Sequence, residues 1–365
     1  MRTLLLPALT AAALLTACEE RGGLQSTGTG LGPALVAIDS TILQETADDF
    51  VSALAGFAVS GNGDTWVYDP PTGRVLHFDA GGALLGTVGH KGSGPGELQA
   101  VTALALDGDS LLHTLDWPNQ RIVAFRTSSG EPVGQRSFPL RTWSMAADAG
   151  RIALGAVDVT RQATINLILP GSDSVHAIGP FPDIFARVPP ASSAFGPSQV
   201  LFVGDTVVSA YEVTGHVYFT RTDGTILDSI DVPHVRRRGS RTDLFAKVTT
   251  DQATGMAAVY QSSQPTALGR IPPTRYALAT LDPVVANRHW GGTVYISVID
   301  RSARRSCVDA TVPVPADPVP LVAFRGDTAF VLAQHVTADA TTNTIVHRYR
   351  LDLANCDWLP EPAAN

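Results

Sequence analysis

The chain predicts an all-β fold, a six-bladed β-propeller of four-stranded antiparallel blades over residues 34–365. Three observations carry that expectation. Short runs of alternating apolar residues are bounded throughout by Gly, Pro, Asn and Asp, the residues that break strands and build turns. A Gly-Asp pair recurs between the first and second run of a unit, at Gly63-Asp64, Gly108-Asp109, Gly204-Asp205 and Gly326-Asp327, with Gly150-Arg151 and Gly255-Met256 filling the two gaps. A third run recurs as well: 74–79, 121–125, 163–169, 216–221, 293–300 and 344–352. Radial repetition of such units leaves only short, protected sheet edges, which resolves the edge-strand problem.

At the N-terminus, residues 1–17 read as a signal peptide. Arg2 supplies the positive start and Leu4–Leu15 a Leu/Ala-rich stretch too short to span a bilayer. Leu15-Thr16-Ala17-Cys18 resembles the bacterial lipobox, which implies acylation of Cys18 and an envelope protein held to the membrane by acyl chains. Glu19, in place of the Asp that retains lipoproteins at the inner membrane, favours the outer membrane. Residues 19–33 (EERGGLQSTGTGLGP) follow as a flexible tether.

The repeats begin at residue 34. Residues 34–39 (ALVAID) precede the first unit and are expected to close the ring as the outer strand of blade six; the alternative outer strand is Cys356–Leu359. The second unit is the clearest: strands at 101–106, 111–115, 121–125 and 132–138, separated by AspGlyAspSer, AspTrpProAsnGln and SerSerGly turns. Asp69 and Arg74 in unit one, and Asp116 and Arg121 in unit two, share one spacing and predict an ion pair across each second-to-third loop. Units one and two resemble the NHL-repeat propellers, through ThrValGlyHisLysGlySerGlyProGlyGluLeu (87–98) at the inter-blade loop and AspTrpProAsnGlnArgIleValAlaPhe (116–125). The resemblance covers about residues 60–140; the later units follow by pattern alone.

Net charge is −8 with 44% hydrophobic residues, which argues against nucleic acid as a partner and against a disordered chain. Lysine is nearly absent (Lys91 and Lys247), so positive charge is almost all arginine. Long insertions at 89–97, 179–199, 233–243 and 261–292, the last with room for a short strand at 276–281, are expected on one face, where second-to-third and inter-blade loops meet. They place Arg236, Arg241, Arg270, Arg275, Arg288, His289 and Trp290 there, opposite a face carrying Asp64, Asp109, Asp205, Asp223 and Asp327 in turns. Planar guanidinium forks suit bidentate recognition of carboxylate or phosphate, so this face is the candidate site for a protein or anionic ligand.

No cofactor is indicated. No histidine pair has a zinc-binding spacing, no nucleophile elbow is present, and the Gly-rich stretch 89–96 opens no helix that could hold phosphate. The sequence therefore points to a lipid-anchored binding or assembly module. The alternative is an extracytoplasmic lyase or hydrolase, lactonase-like, with its site at the channel mouth; acidic residues reach that mouth only at Asp49, Glu97 and Asp243. With Cys18 acylated, Cys307 and Cys356 remain, and an oxidising compartment would allow them to bridge; otherwise they are two small buried residues.

Overall fold

The chain is described by a computed structural model over residues 32–362, apart from Trp143, Asp173, Ala316 and the segments 188–198, 212–213, 242–259 and 287–288. The signal peptide assigned to 1–17 and most of the tether assigned to 18–33 lie outside the described residues. Strand β1 (Ala34–Ile42) comes first but belongs to the last blade. Blade one is β2 (Gly56–Val59), β3 (Thr65–Asp69), β4 (Arg74–Phe78) and β5 (Leu84–Val88). Blade two is β6 (Val101–Asp107), β7 (Leu111–Asp116), β8 (Arg121–Arg126) and β9 (Pro132–Ser137). Blade three is β10 (Met145–Asp148), β11 (Arg151–Asp158), β12 (Ala163–Ile168) and β13 (Val175–Ile178), followed by a short helix α1 (Asp183–Arg187). Blade four is β14 (Gln199–Val203), β15 (Thr206–Ala210), β16 (His216–Arg221) and β17 (Ile226–Asp231). Blade five is β18 (Gln264–Ile271), β19 (Arg275–Ala286), β20 (His289–Asp300) and β21 (Arg305–Thr311). Blade six is β22 (Leu321–Arg325), β23 (Thr328–Val336), β24 (Thr342–Asp352) and the N-terminal β1, while β25 (Leu359–Pro360) adds a fifth strand to blade five.

Every pairing within a blade is antiparallel, and the six first strands touch in a closed ring: β2 to β6, β10, β14, β18, β22 and back to β2. The blades bury both faces because each is sandwiched by two others. Trp66, Tyr68 and Val75 of blade one pack with Leu112, Val123 and Phe125 of blade two. Val67, Leu76 and Phe78, on the other side of the same sheet, pack with Phe330, Leu332 and Val346 of blade six. Successive residues of one strand therefore serve two different cores, which explains second strands such as TrpValTyr that read as continuous apolar runs.

Five first-to-second turns carry the expected glycine, at Gly63, Gly108, Gly150, Gly204 and Gly326, each with positive φ. The fifth unit departs from expectation. Gly255 lies outside the described residues, and the turn of blade five is Pro272-Pro273-Thr274, between β18 and β19. Residues 261–292 are thus not a long loop but β18, β19 and the start of β20. The first strand hid behind Pro265 and Gly269. Proline is tolerated because β18 is the innermost, edge strand of its sheet. Glycine is required because a Cβ at 269 would lie 2.2 Å from the Phe324 Cβ of blade six.

Ring closure follows the leading expectation. β1 pairs antiparallel with β24, from Ala34 opposite Asp352 to Ile42 opposite Ile345. The alternative is overturned: β25 pairs with Arg305 and Ser306 of β21, because the tail folds back onto blade five.

Candidate binding face

The connections from second to third strands and from blade to blade share one face, the loop-rich face; first-to-second and third-to-fourth turns share the other. On the loop-rich face, a buried carboxylate at the end of a second strand repeatedly fixes the incoming inter-blade loop. Asp69 accepts from the backbone N–H and Oγ of Ser52 at 2.9 and 2.5 Å, and from the N–H and Oγ1 of Thr72 at 3.2 and 2.7 Å. Burial works against the Asp69 carboxylate, but the bonds from Ser52 and Thr72 outweigh it and hold its pKa below the usual range. Asp116 does the same in blade two, accepting from the N–H groups of Gln99 and Ala100 and from Asn119 Nδ2 at 2.6 Å. Of the two anticipated ion pairs, Arg121 lies 3.7 Å from Asp116, whereas Arg74 turns away from Asp69 to Asp49 at 2.6 Å. Asp69 has its hydrogen-bonding capacity filled by Ser52 and Thr72, which leaves Asp49 as the acceptor for Arg74.

The stretch 89–97 is held by Arg121 of β8 and by its own Lys91. Arg121 Nη2 donates to the carbonyls of Gly94 and Glu97, and Lys91 Nζ to those of Pro70 and Gln99. The basic groups here are occupied with backbone oxygens, so this loop is structural.

Between blades four and five the same device is doubled. Asp282, at the place in blade five that Asp69 and Asp116 occupy in theirs, accepts from the Arg238 N–H at 2.9 Å and from Ser263 Oγ. Asp309, fully buried in β21 with φ 64°, accepts at Oδ2 from three successive N–H groups, those of Val235, Arg236 and Arg237, at 2.5, 2.8 and 3.3 Å. Its Oδ1 pairs with Arg237 Nε at 2.8 Å, and Arg237 Nη2 caps the carbonyls of Val232 and Pro233. Arg237 is buried while Arg236 and Arg238 are exposed. Arg238 Nη1 donates to the Tyr260 carbonyl, and Arg241 donates to Gln261 Oε1. The sequence groups Arg237 with the other arginines of this loop and gives no sign of its burial, and it does not single out Asp282 or Asp309. The signal for Asp282 is its place after the short strand expected at 276–281, which the structure shows to be the second strand of blade five, β19.

The seven site residues do not share one face. Arg236 and Arg241 lie on the loop-rich face. His289 and Trp290 open β20, opposite Ala286 and Val285 of β19, where β19 and β20 continue past their neighbours as a two-stranded ribbon on the same face. Arg288 lies outside the described residues. Arg270 and Arg275 flank the blade-five turn and belong to the opposite face, because β18 and β19 are strands. There Arg275 meets Asp300 at 3.2 Å and stacks over Trp358, which Arg305 also covers. Arg301 and Arg304 reach Asp228 of blade four at 3.1 and 2.9 Å, and Arg304 also pairs with Glu361. Cys307 in β21 and Cys356 in the tail are joined by a disulfide with Cα atoms 5.7 Å apart.

At the channel mouth, Asp49 is taken by Arg74 and Glu97 by the Gly94 N–H, while Asp243 lies outside the described residues. Among the described residues no three His, Cys, Asp or Glu side chains gather as a metal site, and no helix is long and apolar enough to cross a membrane.

No protein-family model matches the chain, and no curated protein matches it. Solved structures do. A Bacteroides fragilis protein described as exported superposes with a TM-score of 0.61 at 13% identity, covering 87% of this chain and 95% of that one. A member of the DUF4221 family from Bacteroides vulgatus gives 0.60 at 10% identity, covering 88% and 99%. Likeness at such identity establishes the propeller fold.

Proposed function

We propose that the protein is an extracytoplasmic, lipid-anchored binding and assembly module whose loop-rich face recognises an anionic group on a partner protein or ligand. The observation that carries this is the fixing of the 233–241 loop. Asp309 and Asp282 clamp the backbone of residues 235–238, so the exposed Arg236 and Arg238 project from a frame already ordered before anything binds. Pre-ordering removes part of the entropic cost of association. The β19–β20 ribbon, with Ala286 opposite His289, stands on the same face.

The lipobox-like Leu15-Thr16-Ala17-Cys18 and the tether supply the anchor, and the export ascribed to the Bacteroides fragilis neighbour agrees with an envelope location. β1 starts at Ala34 opposite Asp352, and Gly32 before it packs against the backbone of Val308 and Ala310 in blade five.

The test is site-specific photocrosslinking in intact cells, with the reactive residue at position 236 or, on the turn face, at the exposed Ser302. A discrete adduct from position 236 and none from 302 is the expected result. Adducts from 302 alone, or equal adducts from both, would overturn the assignment of the face.

A further inference from the structure

His335 and His347 lie on different strands of blade six, and the fold brings their rings together. His335 sits near the end of β23 and His347 in β24, and their Nε2 atoms are 3.2 Å apart. His347 Nδ1 lies 2.8 Å from Ser40 Oγ, on the N-terminal strand that closes the ring. Both rings are half-buried, so one side of the pair is open to solvent. We propose that this pair is a binding site for a divalent transition metal of the zinc or copper type, with Ser40 as the residue that orients His347.

The geometry supports that assignment. A metal about 2.0–2.1 Å from each imidazole nitrogen, with the nitrogens 3.2 Å apart, subtends an angle of about 100°, close to tetrahedral. Metal-bound histidines generally donate their second ring N–H to an oxygen, which fixes tautomer and orientation. In the tautomer that donates Nδ1–H to Ser40 Oγ, His347 carries its lone pair on Nε2, facing His335. In that tautomer the metal-free contact is a hydrogen bond from His335 Nε2–H to His347 Nε2. In the complex that proton resides on Nδ1, an exchange through solvent that leaves the ring neutral. Two coordination positions remain for water or for a donor from outside. His335 stands at the loop-rich end of blade six, one residue before the end of β23, and His347 lies in the middle of β24. The twelve-residue separation of the two histidines matches no short metal motif, so only the strand pairing reveals the site.

The test is calorimetric titration of the untagged protein with Zn²⁺ and with Cu²⁺. One saturable site per chain is expected. His335→Ala and His347→Ala should each abolish it, and Ser40→Ala should weaken it about 10- to 100-fold. Unchanged affinity in both histidine variants, or no saturable binding at millimolar metal, would overturn the proposal. Electron paramagnetic resonance of the unsubstituted protein with one equivalent of Cu²⁺ does not depend on variants folding. Coupling to two imidazole nitrogens supports the site; coupling to one or none contradicts it.

Discussion

On the turn face at blades four and five, Arg275, Arg301 and Arg304 each meet a carboxylate at 2.9–3.2 Å, and Arg275 and Arg305 enclose Trp358. Across the molecule, the run Arg236–Arg238 divides differently. Arg237 turns inward to Asp309, and the residues on either side of it remain exposed over a clamped backbone. The difference lies in where acids stand. On the turn face Asp228, Asp300 and Glu361 are positioned to consume the arginines and to stitch the C-terminal tail to two blades. On the loop-rich face Asp309 and Asp282 spend their oxygens mainly on backbone N–H groups, so guanidinium groups are left to face outward. An arginine-rich loop is thus a candidate binding surface only where nearby acids hold the main chain rather than the side chains.

The comparison can be broken most forcefully at Asp309. Asp309→Ala removes the acceptor of three N–H groups and leaves the Arg237 charge buried and unpaired, and should cost about 3–5 kcal/mol in denaturant unfolding. A loss under 1 kcal/mol would mean the clamp holds nothing. On the other face, Cys356→Ser frees the tail from β21 and should cost about 2–4 kcal/mol; an unchanged unfolding midpoint would show that ion pairs alone retain the tail. Asp69→Asn weakens the equivalent clamp in blade one and should cost about 1.5–3 kcal/mol at neutral pH. The Asp69 carboxyl is depressed in the folded state, so its contribution is present above the ordinary unfolded value, near pH 3.9, and fades as pH falls through the lower folded value. The variant should therefore lose less stability on acidification than the parent, and parallel acid limbs would contradict that. Arg304→Ala, at a half-exposed pair, should cost at most about 1 kcal/mol, and a larger effect would make the turn-face network a major source of stability.

Blades one and two were legible because each turn sits where the backbone needs it and each strand is bounded by turn residues. Gly63 and Gly108 mark the tight turns, and Asp69 and Asp116 end the second strands. Blade five was not legible, since Pro265 and Gly269 look like breakers but serve an edge strand and a close approach to Phe324. Reading 261–292 as loop carried Arg270 and Arg275 onto the wrong face. Arg237 could not be told from its exposed neighbours, because its burial depends on Asp309, 72 residues away. The meeting of His335 and His347 likewise required the strand pairing.

The measurement that tests the binding face most directly is a thermal-shift and calorimetric screen of the protein against anionic sugars, acidic peptides and phosphorylated ligands. The Arg236→Ala/Arg238→Ala variant and Arg301→Ala, from the turn face, serve as the pair of comparisons. The account predicts a ligand whose stabilisation, about 2.7 kcal/mol at a hundredfold excess over its dissociation constant, disappears in the loop-face variant and persists in Arg301→Ala. Loss with Arg301→Ala and retention in the loop-face variant would place recognition on the other face and contradict the account.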